Sequence, residues 1–175
     1  MKFVFPNKDY EQKAIEYIEE FHRYSSPING ADGLIRVLEN GSYSDWLSKI
    51  QCDIDIANVP DDKVPAFTYF YIRESDNKIV GMINICLALN EFLKCEGGHI
   101  GYSVRPTERQ KGYATSMLRE ALAFCGNIGL HNVIVTCDKS NTVSAKVIQN
   151  CGGILDAEFY KDNFKEIIQR YIIKN

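Results

Sequence analysis

The spacing of apolar residues changes character about a third of the way along the chain. In the first 65 residues it is helical where it is regular at all. Tyr10, Ala14, Tyr17, Ile18 and Phe21 make one stripe, with Glu11, Glu16, Glu19 and Glu20 between them, and predict a helix over Lys8–Tyr24. Ser25-Ser26-Pro27 stops it. After the turn-rich stretch Asn29-Gly30-Ala31-Asp32-Gly33, a short helix is expected over Leu34–Glu39 and another from about Ser44, with Trp46, Leu47 and Ile50 on one side. Its acidic exit, with Asp53, Asp55, Asp61 and Asp62 around Pro60, and Pro65 at its end, reads as loop.

From Phe67 onward the pattern is that of strands. Aromatic-rich Phe67–Arg73 and the run Lys78–Leu89 flank a turn at Asp76-Asn77 and predict a hairpin. A connection over Asn90–Glu96 leads to a strand at His99–Val104. The polar loop Arg105–Gly112 follows, then a helix over Tyr113–Asn127 with Ala114, Met117, Leu118, Ala121, Leu122 and Cys125 on its apolar face. Asn132–Cys137 is a strand, and Asn141 caps a helix whose stripe is Val143, Val147, Ile148 and Cys151. Two closing strands, Ile154–Tyr160 and Glu166–Ile173, turn at Asp162-Asn163. A strand, helix, strand connection of this length implies a parallel pair with a right-handed crossover. The fold class is therefore α/β of the mixed α+β kind: one domain over 1–175, a central mixed but mostly antiparallel sheet, and helices on both faces.

Composition narrows the function. The chain has 175 residues, 45% apolar and 25% charged, with a net charge of −3, which argues against a nucleic-acid-gripping protein. The longest apolar run, Ile79–Leu89, is too short to span a bilayer, and Met1 to Pro6 does not read as a leader. A cytoplasmic location without membrane contact is the expectation, with Cys52, Cys86, Cys95, Cys125, Cys137 and Cys151 kept as reduced, small buried thiols. Neither they nor His22, His99 and His131 have metal-ligand spacing, so no metal is expected.

The chemistry points to Arg109-Gln110-Lys111-Gly112-Tyr113-Ala114, which ends a loop and opens a helix. Helix N-termini present unpaired N–H groups and partial positive charge, and Gly112 lets a ligand approach the backbone. Arg105, Arg109 and Lys111 add charge against Glu108 alone, which suits a diphosphate; a merely solvated basic loop is the plainer reading. No Walker-type string is present. A dinucleotide site built on Gly112 and Asp138 would need a tight glycine turn where this chain has a long polar loop.

Gly101-Tyr102-Ser103-Val104-Arg105-Pro106 followed by Arg109-x-x-Gly112-x-Ala114 resembles the GNAT superfamily of N-acetyltransferases. So does the later Asn141-x-x-Ser144 with Gly152 closing its helix. The resemblance covers residues 66–173 as the cofactor-binding core, with residues 1–65 as the variable helical, acceptor-side region. It implies that acetyl-CoA is held at its pyrophosphate by Arg109, Gln110, Lys111, Gly112, Tyr113, Ala114 and Thr115. Tyr102, Ser103 and Val104 would bond its pantetheine arm in a gap between splayed parallel strands. Ser144 belongs to the second motif, and Asn141 would fix the cofactor arm or simply the helix start. It also implies direct attack of an amine on the thioester, the amine belonging to a small molecule or an exposed amino group, with an oxyanion donor near Val104. Dimers are common in the superfamily, so a homodimer is also an expectation. The tyrosine many members use as general acid falls at Ile148 here, leaving Ser144, Cys151, Tyr160 or water. For the base, His99 and Glu96 are the candidates, with Glu91 nearby. The absent tyrosine keeps a second reading open, a non-catalytic acyl-CoA-binding sensor or interaction module.

Overall fold

A computed structural model describes residues 1–161 and 165–175, so the turn expected at Asp162-Asn163 lies outside the described residues. The chain opens on a strand that periodicity did not announce, β1 (Lys2–Val4), paired antiparallel with β2 (Ala66–Arg73). Three residues are too few to show a period. The first helix is α1 (Glu11–Arg23), preceded by a 3₁₀ turn at Lys8–Tyr10. The next two are α2 (Leu34–Asn40) and α3 (Tyr43–Cys52), the latter begun by a capping box in which Ser42 and Asp45 satisfy each other's amides.

The predicted hairpin is β2 with β3 (Lys78–Cys86), and β3 pairs in turn with β4 (Ile100–Val104). These strands form an antiparallel sheet in the order β1-β2-β3-β4. The crossover helix α4 (Tyr113–Asn127) leads to β5 (Asn132–Asp138), followed by α5 (Thr142–Asn150). β6 (Ile154–Lys161) and β7 (Glu166–Lys174) complete a second antiparallel sheet in the order β5-β7-β6.

The mixed α/β architecture and the antiparallel hairpins are as expected, but the parallel pair forms no ladder. β4 and β5 belong to separate sheets, and Gly98, just before β4, makes an isolated antiparallel bridge with Val135 of β5. The cause lies just before β4. One wide helical turn, Leu93–Gly97, ends on Gly98 at φ 68°, and a Cβ there would stand 2.7 Å from the Ile134 carbonyl oxygen. Only glycine meets both conditions cheaply. His99 then joins the two sheets: its carbonyl accepts from Cys86 of β3 at 2.7 Å, and its amide donates to Ile134 of β5 at 2.7 Å.

Apolar alternation assigns each sheet face its layer. On one face Ala14, Tyr17 and Phe21 of α1, with Leu34, Trp46 and Ile50, cover Phe70, Ile72, Ile79 and Met82. On the other, Met117, Leu118, Ala121 and Cys125 of α4 pack on Val80, Ile83 and Ile85 of one sheet and on Val133, Val135, Tyr171 and Ile173 of the other. α4 thus bridges both sheets, so the gap between them is held open by a shared core. Of the six free cysteines only Cys125 is buried; Cys52 is exposed and the rest are half-buried, so the expectation of buried thiols fails for most of them. No helix among the described residues is long and apolar enough to cross a membrane.

Candidate active site

Separation from β5 leaves β4 with an open edge. Hydrogen-bonded pairs alternate along an antiparallel ladder. The Arg105 amide donates to Val80 and the His99 carbonyl accepts from Cys86, so the odd-numbered residues face β3. Tyr102 and Val104 therefore turn their amides toward the gap, while the backbone of Ser103 belongs to the β3 ladder. The Ser103 hydroxyl donates to the Asn29 carbonyl at 2.6 Å and meets the buried Tyr17 hydroxyl at 3.1 Å.

Beside this edge stands the N-terminus of α4. Its N-cap is Gly112 at φ 80° and ψ −2°, and no side chain caps the first amides. Beyond its two chain neighbours, no atom of the described residues lies within 4 Å of where a Gly112 Cβ would stand, and Gln110 also has a left-handed φ, 62°. Such backbone outliers carry strain and concentrate at functional sites. The basic side chains, by contrast, are already engaged. Lys111 reaches Glu108 at 2.8 Å, and Arg109 donates to the Ser26 hydroxyl at 2.7 Å and the Val104 carbonyl at 3.2 Å. Arg105, only 6% exposed, donates to Glu20 at 2.9 Å and the Ile79 carbonyl at 2.8 Å. The loop thus offers an anion its backbone amides rather than free cations.

Two buried carboxylates hold that loop. Glu20 of α1 accepts from Arg105 and from both the amide and hydroxyl of Thr107, at 3.0 and 2.8 Å. Burial pushes its acidity one way, but the bonds from Thr107 and Arg105 outweigh it and lower the carboxyl below its usual range. Glu108, 4% exposed, takes Arg73, Lys78 and Lys111, each at 2.8 Å. Burial opposes its charge too, yet the hydrogen bonds from Lys111, Lys78 and Arg73 bring its pKa down to about 2.

Two cavities open here. One, of about 480 Å³, is lined by Tyr102, Ser103, Val104, Arg109, Gln110, Gly112, Tyr113, Ala114, Thr115, Asn141 and Ser144. Of the residues expected around the cofactor, only Lys111 lies outside its lining, turned toward Glu108. The other, of about 600 Å³, has Glu96, Asp138, Lys161 and Glu166 in its wall, beside Phe92 and Ile168. Asn29, Tyr102, Asn141 and Ser144 line both, so the cavities adjoin at those residues. Asn141 also does the plainer job expected of it, since its Oδ1 accepts the Ser144 amide at 3.1 Å.

Several sequence-based assignments land elsewhere. His99 is 5% exposed and lines neither cavity; its Nδ1 accepts the Ile134 amide at 2.9 Å, and burial lowers its pKa. It works as a strut between the sheets. Glu96 does line the larger cavity, where its Oε2 sits 2.6 Å from Lys161 Nζ. Ile148 is fully buried core. The acidic exit of α3 lines neither cavity: Asp53 pairs with Lys49, and Asp55 caps a short turn. Gly112 and Asp138 fall in different cavities and build no dinucleotide site. The buttresses Glu20, Arg73 and Lys78 escaped sequence reasoning, because nothing local distinguishes Glu20 from Glu16 or Glu19.

Solved structures share this fold. The spermidine N-acetyltransferase SpeG chimera from Vibrio cholerae and hSSAT matches 99% of this chain and 96% of its own, at 11% identity and TM-score 0.65. The ribosomal-protein-S5-alanine acetyltransferase from Vibrio fischeri matches 99% and 92%, at 17% identity and TM-score 0.68. The Microcin C7 self-immunity acetyltransferase MccE, solved in complex with acetyl-CoA and AMP, matches 99% and 91%, at 18% identity and TM-score 0.64. At such identities the likeness is one of fold. No curated protein sequence matches the chain. The sequence model described as the acetyltransferase (GNAT) domain matches residues 9–154, and with most of its length so matched the chain belongs to that family.

Proposed function

We propose that this chain transfers an acetyl group from acetyl-CoA to a primary amine, with the cofactor in the smaller cavity and the acceptor in the larger. The observation that carries this reading is the uncapped N-terminus of α4 beside the open edge of β4. Free amides at the front of a 15-residue helix suit a diphosphate, and the outward Tyr102 amide suits an amide-bearing arm, leaving that of Val104 for the thioester oxygen. MccE, a protein of the same fold, was solved with acetyl-CoA.

In the adjoining cavity Glu96, Asp138 and Glu166 outnumber Lys161 and favour an ammonium. Of the two candidate bases only Glu96 lines it, and Glu96 takes the proton in this reading. The amine nitrogen bonds to the thioester carbon, the Val104 amide receives the developing oxyanion, and the C–S pair leaves on sulfur. Spermidine and the alanine of a ribosomal protein, for which enzymes of this fold are named, define the first panel to try.

Calorimetry with acetyl-CoA, followed by thiol release with an amine panel, tests the proposal. Micromolar binding and amine-dependent release are expected. No binding at millimolar acetyl-CoA overturns it; tight binding without transfer to any amine favours the sensor or interaction module instead.

A further inference from the structure

The reacting thioester must lie where the cofactor cavity meets the acceptor cavity, so the groups that line both are the ones that touch the departing sulfur. Among those four residues only Tyr102 and Ser144 carry hydroxyls, and the two oxygens are 3.1 Å apart. The other stand-ins for the missing helix tyrosine are badly placed. Cys151 lines neither cavity and points its thiol at the Thr115 carbonyl, 3.7 Å away. Tyr160 is 63% exposed and also lines neither.

We propose that the Tyr102 hydroxyl, held by Ser144, is a catalytic group that hydrogen-bonds the departing thiolate. This rests on the acetyltransferase reading above and adds a residue to it. Tyr102 comes from β4 and packs, half-buried, against the core that spans both sheets, which holds it in place. Ser144 stands in the first turn of α5, anchored by the Asn141 cap. Either oxygen of the pair can donate to the other. With Ser144 donating to the phenol oxygen, the phenol proton is free to face the sulfur, and each bond polarises the next.

Acidity decides what the phenol does with its proton. Burial pushes the Tyr102 pKa up to about 12, although the bond from Ser144 opposes this. A thiol near pKa 8.5 does not take a proton from such a phenol. Tyr102 therefore donates a bond and keeps its proton. The electron pair of the broken C–S bond stays on sulfur, and the amine's proton goes to the acceptor-side carboxylate. A charge-assisted bond of this kind is about twice as strong as a neutral one.

The test needs no acceptor. The thiol of bound CoA is titrated by thiolate absorbance, as the difference between the CoA and acetyl-CoA complexes, for the wild-type chain, Tyr102→Phe and Ser144→Ala. A bond to the thiolate lowers the thiol pKa, so Tyr102→Phe raises it by about one unit and Ser144→Ala by less. Acetyl-CoA affinity should stay within about threefold in both, while turnover with any accepted amine falls at least about tenfold in Tyr102→Phe. Equal thiol pKa values in wild type and variants, with CoA bound by all, overturn the role of Tyr102 and leave the acetyltransferase reading intact. Failure of the wild-type chain to bind CoA removes that reading first. If Tyr102→Phe does not fold, Ser144→Ala at the cavity wall carries the test, and an unshifted thiol there overturns the pairing.

Discussion

Two helices begin at the gap between the sheets, and they begin differently. α5 is closed by its own sequence: Asn141 takes the Ser144 amide, and the end is satisfied locally. α4 starts on Gly112, with no side chain over its first amides. A local cap fixes a helix end and consumes it as a binding site. An end left open for an anion has to be fixed from elsewhere. Here the fixing comes from Glu20, thirteen-residue helix α1's contribution, and from Glu108 with its three cations. The helix that covers one face of the first sheet thus also sets the loop on which the proposed cofactor site depends.

Breaking that external support should have the largest effect. Glu20→Gln leaves Arg105 buried without its carboxylate. The expected loss is about 3–5 kcal/mol of unfolding free energy in urea, with weaker acetyl-CoA binding in whatever remains folded. Adding Arg105→Met removes the stranded charge and should restore part of the stability. An unchanged urea midpoint in Glu20→Gln would show that the loop holds itself.

Next comes acid. Glu108 has its carboxyl lowered from 4.5 to about 2 in the folded chain, so it binds protons more readily when unfolded. Its contribution is therefore complete above pH 4.5 and is lost as pH falls from there toward 2. It amounts to at most about 3 kcal/mol, from the shift alone. Glu20 is shifted in the same direction and adds to the same slope. Urea midpoints measured from pH 6 down to 3 should fall steeply below about 4.5 in the wild-type chain and more gently in Glu108→Gln. Parallel profiles would remove Glu108 from the account.

How much of this was legible depended on range. Gly112 and Asn141 each act within a few residues of chain, and the sequence shows a glycine where one helix starts and a capping amide where the other does. The large elements were legible for the same reason, since their apolar periods are local. Contacts between distant segments were not. Glu20 reaches Thr107 across 87 positions, and its carboxylate looks like every other on its helix. His99 looked like a base because histidine titrates near neutrality, but its imidazole is committed to the Ile134 amide. The parting of the strands depends on Gly98 meeting Ile134, again a long-range event. Local charge also misled: the loop's basic residues promised a cationic cradle, but Arg105 and Arg109 are taken by Glu20 and Ser26, far off along the chain, and Lys111 turns to Glu108.

The third effect concerns the open end itself. Gly112→Val places a β-branched side chain at φ 80° in the wall of the smaller cavity. The backbone strain should cost about 1–2 kcal/mol. Acetyl-CoA affinity should drop more than about tenfold by calorimetry, beyond what the stability change explains. Retained affinity would mean that the amides of α4 do not hold the phosphates, and the cofactor site would have to be sought elsewhere.

The smallest effect is the most discriminating. Asn141 lines both cavities and caps α5, so its replacement separates a binding role from a structural one. Loss of an N-cap costs about 1 kcal/mol. If capping is all that Asn141 does, Asn141→Ala lowers the melting temperature by a few degrees, and Asn141→Ser or Asn141→Asp, which can cap, restores it. Acetyl-CoA affinity then stays within about threefold in all three variants. If the side chain also holds the cofactor arm, affinity falls in Asn141→Ser although the melting temperature recovers. The first outcome keeps the two helix ends distinct, one closed for the fold and one open for the ligand. The second would make α5 a second point of grip, and the contrast between the two ends would be one of degree.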